Sequence, residues 1–173
     1  MMRALWHWLR LTGLPSEEFK RRTTAVEMGL YMSSAGLVYV LVYAGLGYGG
    51  MSLMALLYVA SFYLNLLLLR LTGRFAIYEQ VQLLSVLLFP VLAHWHIGGF
   101  QNSSMGVLAV FLAPAAALLF ASTRAARRYF YAVVGVMVGV GMWDYWYAPA
   151  VRLPRYVRGV FIVLIPLAIF TIL

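Results

Sequence analysis

Residues 89–120, FPVLAHWHIGGFQNSSMGVLAVFLAPAAALLF, leave a chain little choice of fold. Two apolar runs flank a short uncharged polar link, Gly98-Gly99-Phe100-Gln101-Asn102-Ser103-Ser104. Lipid offers no hydrogen bonds to bare backbone groups, so such runs cross a bilayer as helices. The link then lies at a membrane face and the pair is a transmembrane hairpin. Gly98 and Gly99 permit a tight reversal. Asn102, Ser103 and Ser104 can accept from the orphan N–H groups that open the second helix. Ala109, Ala113, Ala117 and Ala121 recur every four residues, a small-residue seam for close helix approach. Pro90 and Pro114 each remove a backbone donor and are expected to bend their helices.

The rest of the chain follows the same logic. Of its 173 residues 64% are hydrophobic and only 10% are charged, with mean hydropathy +0.88. A soluble domain is typically about 45–50% apolar. The expected fold class is therefore all-α, a polytopic membrane protein built as a six-transmembrane-helix bundle. The lipid bilayer is its first partner. Spans are expected near residues 24–46, 51–69, 77–97, 103–121, 129–147 and 157–173, after an interfacial N-terminal segment over residues 1–22. Residues 23–173 then form the transmembrane domain. Within the first segment Ser16 is the expected N-cap of the following helix, with Glu17 and Glu18 in its first turn.

The net charge of +8 comes from short basic clusters between the apolar runs. Counted by alternate loops, Arg3, Arg10, Lys20, Arg21, Arg22, Arg70, Arg74, Arg124, Arg127 and Arg128 fall on one side. Arg152, Arg155 and Arg158 fall on the other. The positive-inside rule then puts both termini in the cytoplasm. This is topology and lipid-headgroup chemistry, without the aromatic platforms of a nucleic-acid surface, and no nucleic-acid partner is expected. The chain has no cysteine, which removes disulfides, thiolate metal sites and a cysteine nucleophile.

The candidate ligand-binding residues gather at the outer rim: His94, His96, Gln101, Asn102 and Asp144. His94 and His96 are two apart, so on a helix they point about 200° away from each other and cannot chelate one metal together. A single imidazole could still contact a haem or a chlorin. The plain alternative is a histidine hydrogen-bonded to the link. Asp144, among Trp143, Tyr145 and Trp146, could form a cage for a cation or lie in an ordinary interfacial aromatic belt. Glu27 and Glu79 fall near the inner face. They are expected to pair with Arg70, Arg74 or the Lys20–Arg22 cluster rather than to relay protons. Asn65 is the one strongly polar residue in the inner half of the second span. For helix packing the candidates are Ala109, Ala113, Ala117, Gly135 and Gly139, the last two forming a GxxxG seam. Gly29, Ser33 and Gly36 make a further small face. No zinc-protease helix, phosphate loop or Ser–His–Asp set can be assembled, so an enzyme is not expected and no metal is assigned.

The stretch from His94 to Phe120 resembles the six-helix membrane anchor found N-terminal to bacterial class III adenylate/guanylate cyclase domains. The matching residues are His94, the Gly98-Gly99-Phe100 turn, Asn102-Ser103-Ser104, Leu112-Ala113-Pro114 and the run from Ala115 to Phe120. A basic stretch before the first span, Asn65-Leu66 and Pro90 also fit. The resemblance implies a receptor-like module of the bacterial inner membrane that dimerises and transmits a membrane-side signal. Members with cyclase activity continue from the sixth span into a catalytic domain. These 173 residues carry no catalytic metal-binding aspartates, so the expectation is the sensing or anchoring module alone, as a homodimer. A different class competes: a small accessory subunit of a photosynthetic or respiratory membrane complex, filling gaps between subunits and touching a pigment or quinone through His94 or His96. A small transporter fits less well, because midplane charges and paired broken helices are missing.

Overall fold

The computed structural model describes residues 2–9, 11–97 and 106–147. Every regular element among them is helical. The order is α1 (Met2–Trp8), α2 (Ser16–Gly45), α3 (Gly49–Thr72), α4 (Phe75–Ile97), a 3₁₀ segment η1 (Gly106–Phe111), α5 (Leu112–Phe120) and α6 (Thr123–Tyr147). Three of them, α2, α3 and α4, are long and apolar enough to cross a membrane. The described residues are all-helical, and the chain is an integral membrane protein.

The connections explain the arrangement. Only three residues separate α2 from α3, and only two separate α3 from α4 and α5 from α6. Links this short make consecutive helices antiparallel neighbours. Gly47, with φ +79°, turns the first corner, and Gly73, with φ +66°, closes α3 as a left-handed cap whose N–H reaches the Leu69 carbonyl. α2 packs on α3, α3 on α4, α4 on η1, and α5 on α6, with α5 also touching α2 and α4. The core between them contains Val26, Met28 and Met32 of α2, Phe62 and Leu66 of α3, Tyr78, Leu83 and Val86 of α4, Ala113, Ala117 and Phe120 of α5, and Val133 and Val140 of α6. Outward, Leu41, Leu64, Leu71 and Leu118 are exposed. Such an apolar exterior suits hydrocarbon and not water. Hydroxyls inside the helices are satisfied locally: Ser33 and Ser34 donate to the Leu30 carbonyl and Ser61 to that of Tyr58.

Where α2 meets α3 the contact depends on missing side chains. A Cβ on Gly36 would come within 2.8 Å of Val59 Cγ2, and one on Gly29 would run into the Phe62 ring. Together with fully buried Ser33, these residues are the small face read from the sequence, and they bring the two helices together.

Several local readings are refined. Ser16 is the first helical residue and Pro15 holds the cap position, with no side-chain cap bond. The rigid φ of proline prepares the entry instead. α2 has 30 residues, about 45 Å at 1.5 Å per residue, well beyond a hydrocarbon core of about 30 Å. Its first two turns, with Glu17, Glu18, Lys20, Arg21 and Arg22, therefore extend past the apolar slab. The boundary expected at residue 22 falls inside this continuous helix. Trp6, Leu9 and Leu11 join the main core, while Trp8 is exposed and carries the Arg70 guanidinium 5.8 Å from its ring centre.

The fourth rod is not one α-helix. It runs as 3₁₀ over η1 and becomes α at Leu112. Pro114 accounts for this, since it can give no N–H to the Val110 carbonyl and its ring crowds that carbonyl. The tighter winding lengthens the rod, so six 3₁₀ residues and nine α residues cover about 25 Å. Arg124, Arg127 and Arg128, expected between spans, lie within the first turns of α6. Ser122 receives the Ala125 N–H at 3.1 Å and starts that helix. The expected sixth span, the Gly98–Ser104 link and Arg152, Arg155 and Arg158 fall outside the described residues.

Candidate functional site: a histidine–aspartate clasp at the aromatic end

The bundle has two unlike ends. One is basic, with Arg21, Arg22, Arg70, Arg74 and the α6 arginines. The other carries Tyr48, Trp95, Trp143, Tyr145 and Trp146 where α4 and α6 finish. At this aromatic end His94 Nε2 lies 3.1 Å from Asp144 Oδ1. His94 is completely buried, and the Asp144 side chain is 19% exposed. With the proton on Nε2 the imidazole donates to the carboxylate. Each residue sits in the final turns of its helix, where carbonyls point outward and the dipole is negative. That field suits an imidazole and opposes a carboxylate, so the histidine offsets the poor placement of the acid.

Next to the clasp, the Trp95 and Trp143 rings meet at 5.8 Å between centres and 47° between planes. Both are partly exposed. Tyr145 and Trp146 contact each other at 6.1 Å and splay outward, with Tyr145 85% exposed. The aromatic residues therefore form a belt, while Asp144 turns inward to His94. His96 points away from His94, as their spacing requires. It is exposed, and its Nε2 rests against Gly50, where any side chain would collide. Gln101 and Asn102 lie outside the described residues.

Ala113 and Ala117 are fully buried within the bundle, and Ala109 is half-buried in η1. Gly135 and Gly139 are different. They are exposed on α6, with open space where a side chain would stand. At the basic end Arg21 reaches Glu79 at 3.4 Å and Glu18 at 3.0 Å, and Arg22 reaches Glu18 at 2.7 Å. The Arg21 and Arg22 guanidinium groups lie 5.3 and 5.0 Å from the centre of the Phe75 ring. Glu27 has no ion pair among the described residues.

Sequence reasoning found His94 and Asp144 separately but not their union. The available signal was that two polar residues finish two spans running in the same direction, and each needs a partner there. The Asn65 contact was also missed: its Nδ2 donates to the Tyr78 carbonyl at 2.9 Å, with both residues buried. Among the described residues no three of His, Cys, Asp and Glu come together as a metal site. Protein-family models, curated proteins and solved structures were compared with the chain, and none matches.

Proposed function

We propose that this chain is a non-catalytic membrane module that senses or anchors through contacts made within the bilayer, in the manner of the six-helix membrane domains of cyclase-type receptors. It acts as a homodimer in a bacterial inner membrane, with a sixth span over residues 157–173 and both termini in the cytoplasm. The observation that carries this reading is the unequal use of small residues. The small faces of α2 and α5 are buried inside the bundle, whereas the Gly135–Gly139 face of α6 is open. Glycine spacing of this kind favours close helix–helix contact in lipid. The clasp adds a link, because His94 ties α4 to the same helix that bears the open face. An event at the aromatic end would thus bear on α6 and on whatever α6 touches.

Native mass spectrometry from lipid nanodiscs tests this. The parent protein is expected as a dimer, and Gly135→Leu with Gly139→Leu as a monomer of unchanged thermal stability. A monomeric parent overturns the reading, as does a dimer indifferent to both substitutions. Copurification in a fixed ratio with larger membrane subunits would instead favour the accessory-subunit role.

A further inference from the structure

Two buried polar atoms, one on α3 and one on α4, lack partners, and they are of opposite kind. Asn65 Oδ1 is an acceptor and Gln82 Nε2 is a donor. Asn65 is 1% exposed and Gln82 3%. The amide of Asn65 is held in one orientation, because its Nδ2 donates to the Tyr78 carbonyl and only nitrogen can do so. Gln82 lies one helical turn after Tyr78. Helical side chains lean toward the N-terminus, so its amide reaches back over the turn that Asn65 touches. Helix geometry thus directs the Gln82 amide toward the Asn65–Tyr78 contact, and the two amides do not bond each other. Inside a membrane protein each such group is costly to leave bare.

We propose that a water molecule is bound here, accepting from Gln82 Nε2 and donating to Asn65 Oδ1. Water combines both roles on one atom and needs as few as two polar partners to stay buried. A polar approach exists from the basic end. Glu79, three residues before Gln82 on the same helix, keeps 12% of its side chain exposed and is bonded to Arg21, whose side chain is 36% exposed. The inference is independent of the dimer reading, since it concerns the interior of one chain.

X-ray radiolytic footprinting of the intact protein in nanodiscs tests it, because hydroxyl radicals made from a bound water oxidise the side chains beside it. Phe62, one turn from Asn65, is 1% exposed, and Phe120 in α5, equally shielded at 2%, is the matched control. Phe62 is expected to be oxidised several-fold more than Phe120. In Asn65→Leu with Gln82→Leu that excess is expected to vanish. Equal oxidation of Phe62 and Phe120 in the parent overturns the proposal. So does an excess that survives in a folded double variant. If the variant does not fold, the parent comparison decides.

Discussion

His94 and Asp144, fifty residues apart in the chain, meet at 3.1 Å and join the last turns of α4 and α6. These two helices otherwise communicate mainly through η1 and α5. The clasp is therefore a direct polar fastening between them, seated at the end where both dipoles are negative.

Removing both halves of the clasp is expected to cost less than the two single removals added together. Asp144→Ala leaves a fully buried imidazole without its carboxylate, and hydrogen bonds to charged groups are worth about 1.5–3 kcal/mol. A loss of that order is expected in unfolding titrations in mixed micelles. Asp144→Asn keeps an acceptor and is expected to lose less. His94→Leu with Asp144→Leu is expected to fall short of the sum of the two single losses, because neither polar group is then stranded. Additive losses would show that the two side chains act independently.

Two glycines separate tight contact from contact that can yield. On Gly29 a new methyl group meets the buried Phe62 ring and stands 3.1 Å from the Tyr78 hydroxyl. On Gly50 its nearest neighbours are atoms of the His96 ring, an exposed side chain that can rotate away. Overpacking a filled interior typically costs about 1–3 kcal/mol, so Gly29→Ala is expected to destabilise by that amount. Gly50→Ala is expected to remain within about 0.5 kcal/mol of the parent. Thermal melts of both variants check the ranking, and equal melting temperatures would refute it.

Much of this architecture is legible in the sequence because lipid restricts the backbone to helices. The spans around α2, α3 and α4 follow from apolar length, and Gly47 and Gly73 mark their ends. Hydropathy does not distinguish one helix type from another, so the 3₁₀ winding of η1 is not encoded in it. Its cause, Pro114, is visible, but a proline can equally kink a helix or end it. Side-chain partners are least legible. The pairing of Arg21 with Glu79 follows from a short list of charges at one end. The meeting of His94 with Asp144 depends on which spans become neighbours, and periodicity does not encode that.

The two small-residue seams are expected to respond differently to bulk. Ala113 is completely buried among the helices, whereas Gly135 faces open space. Ala113→Leu must displace packed neighbours, with an expected loss of about 1–3 kcal/mol. Gly135→Leu meets nothing within one chain, so its melting temperature is expected to hold while self-association falls. Size-exclusion chromatography with light scattering, alongside melts, separates these effects. A stable Ala113→Leu variant would show that the alanine seam is loosely packed.

The short rod η1–α5 decides the topology. If α4 leads from the cytoplasm to the far side, then a crossing by η1–α5 returns the chain before α6 begins. Its described length of about 25 Å is a little under a typical hydrocarbon thickness of about 30 Å. The absence of native cysteine makes single-cysteine labelling clean. Gly49→Cys, at the start of α3, is expected to react with a membrane-impermeant maleimide in intact cells. Arg74→Cys, between α3 and α4, is expected to react only after permeabilisation, in keeping with the excess of arginine and lysine at the basic end. Thr123→Cys, at the start of α6, is the informative position. If the rod crosses, Thr123→Cys behaves like Arg74→Cys. If the rod lies along the membrane face, Thr123→Cys labels from outside with Gly49→Cys. The arginines at 124, 127 and 128 would then be on the wrong side for the charge rule. The first pattern is expected, because Val107, Val110, Ala113 and Ala117 are buried in the core they share with α4 and α6.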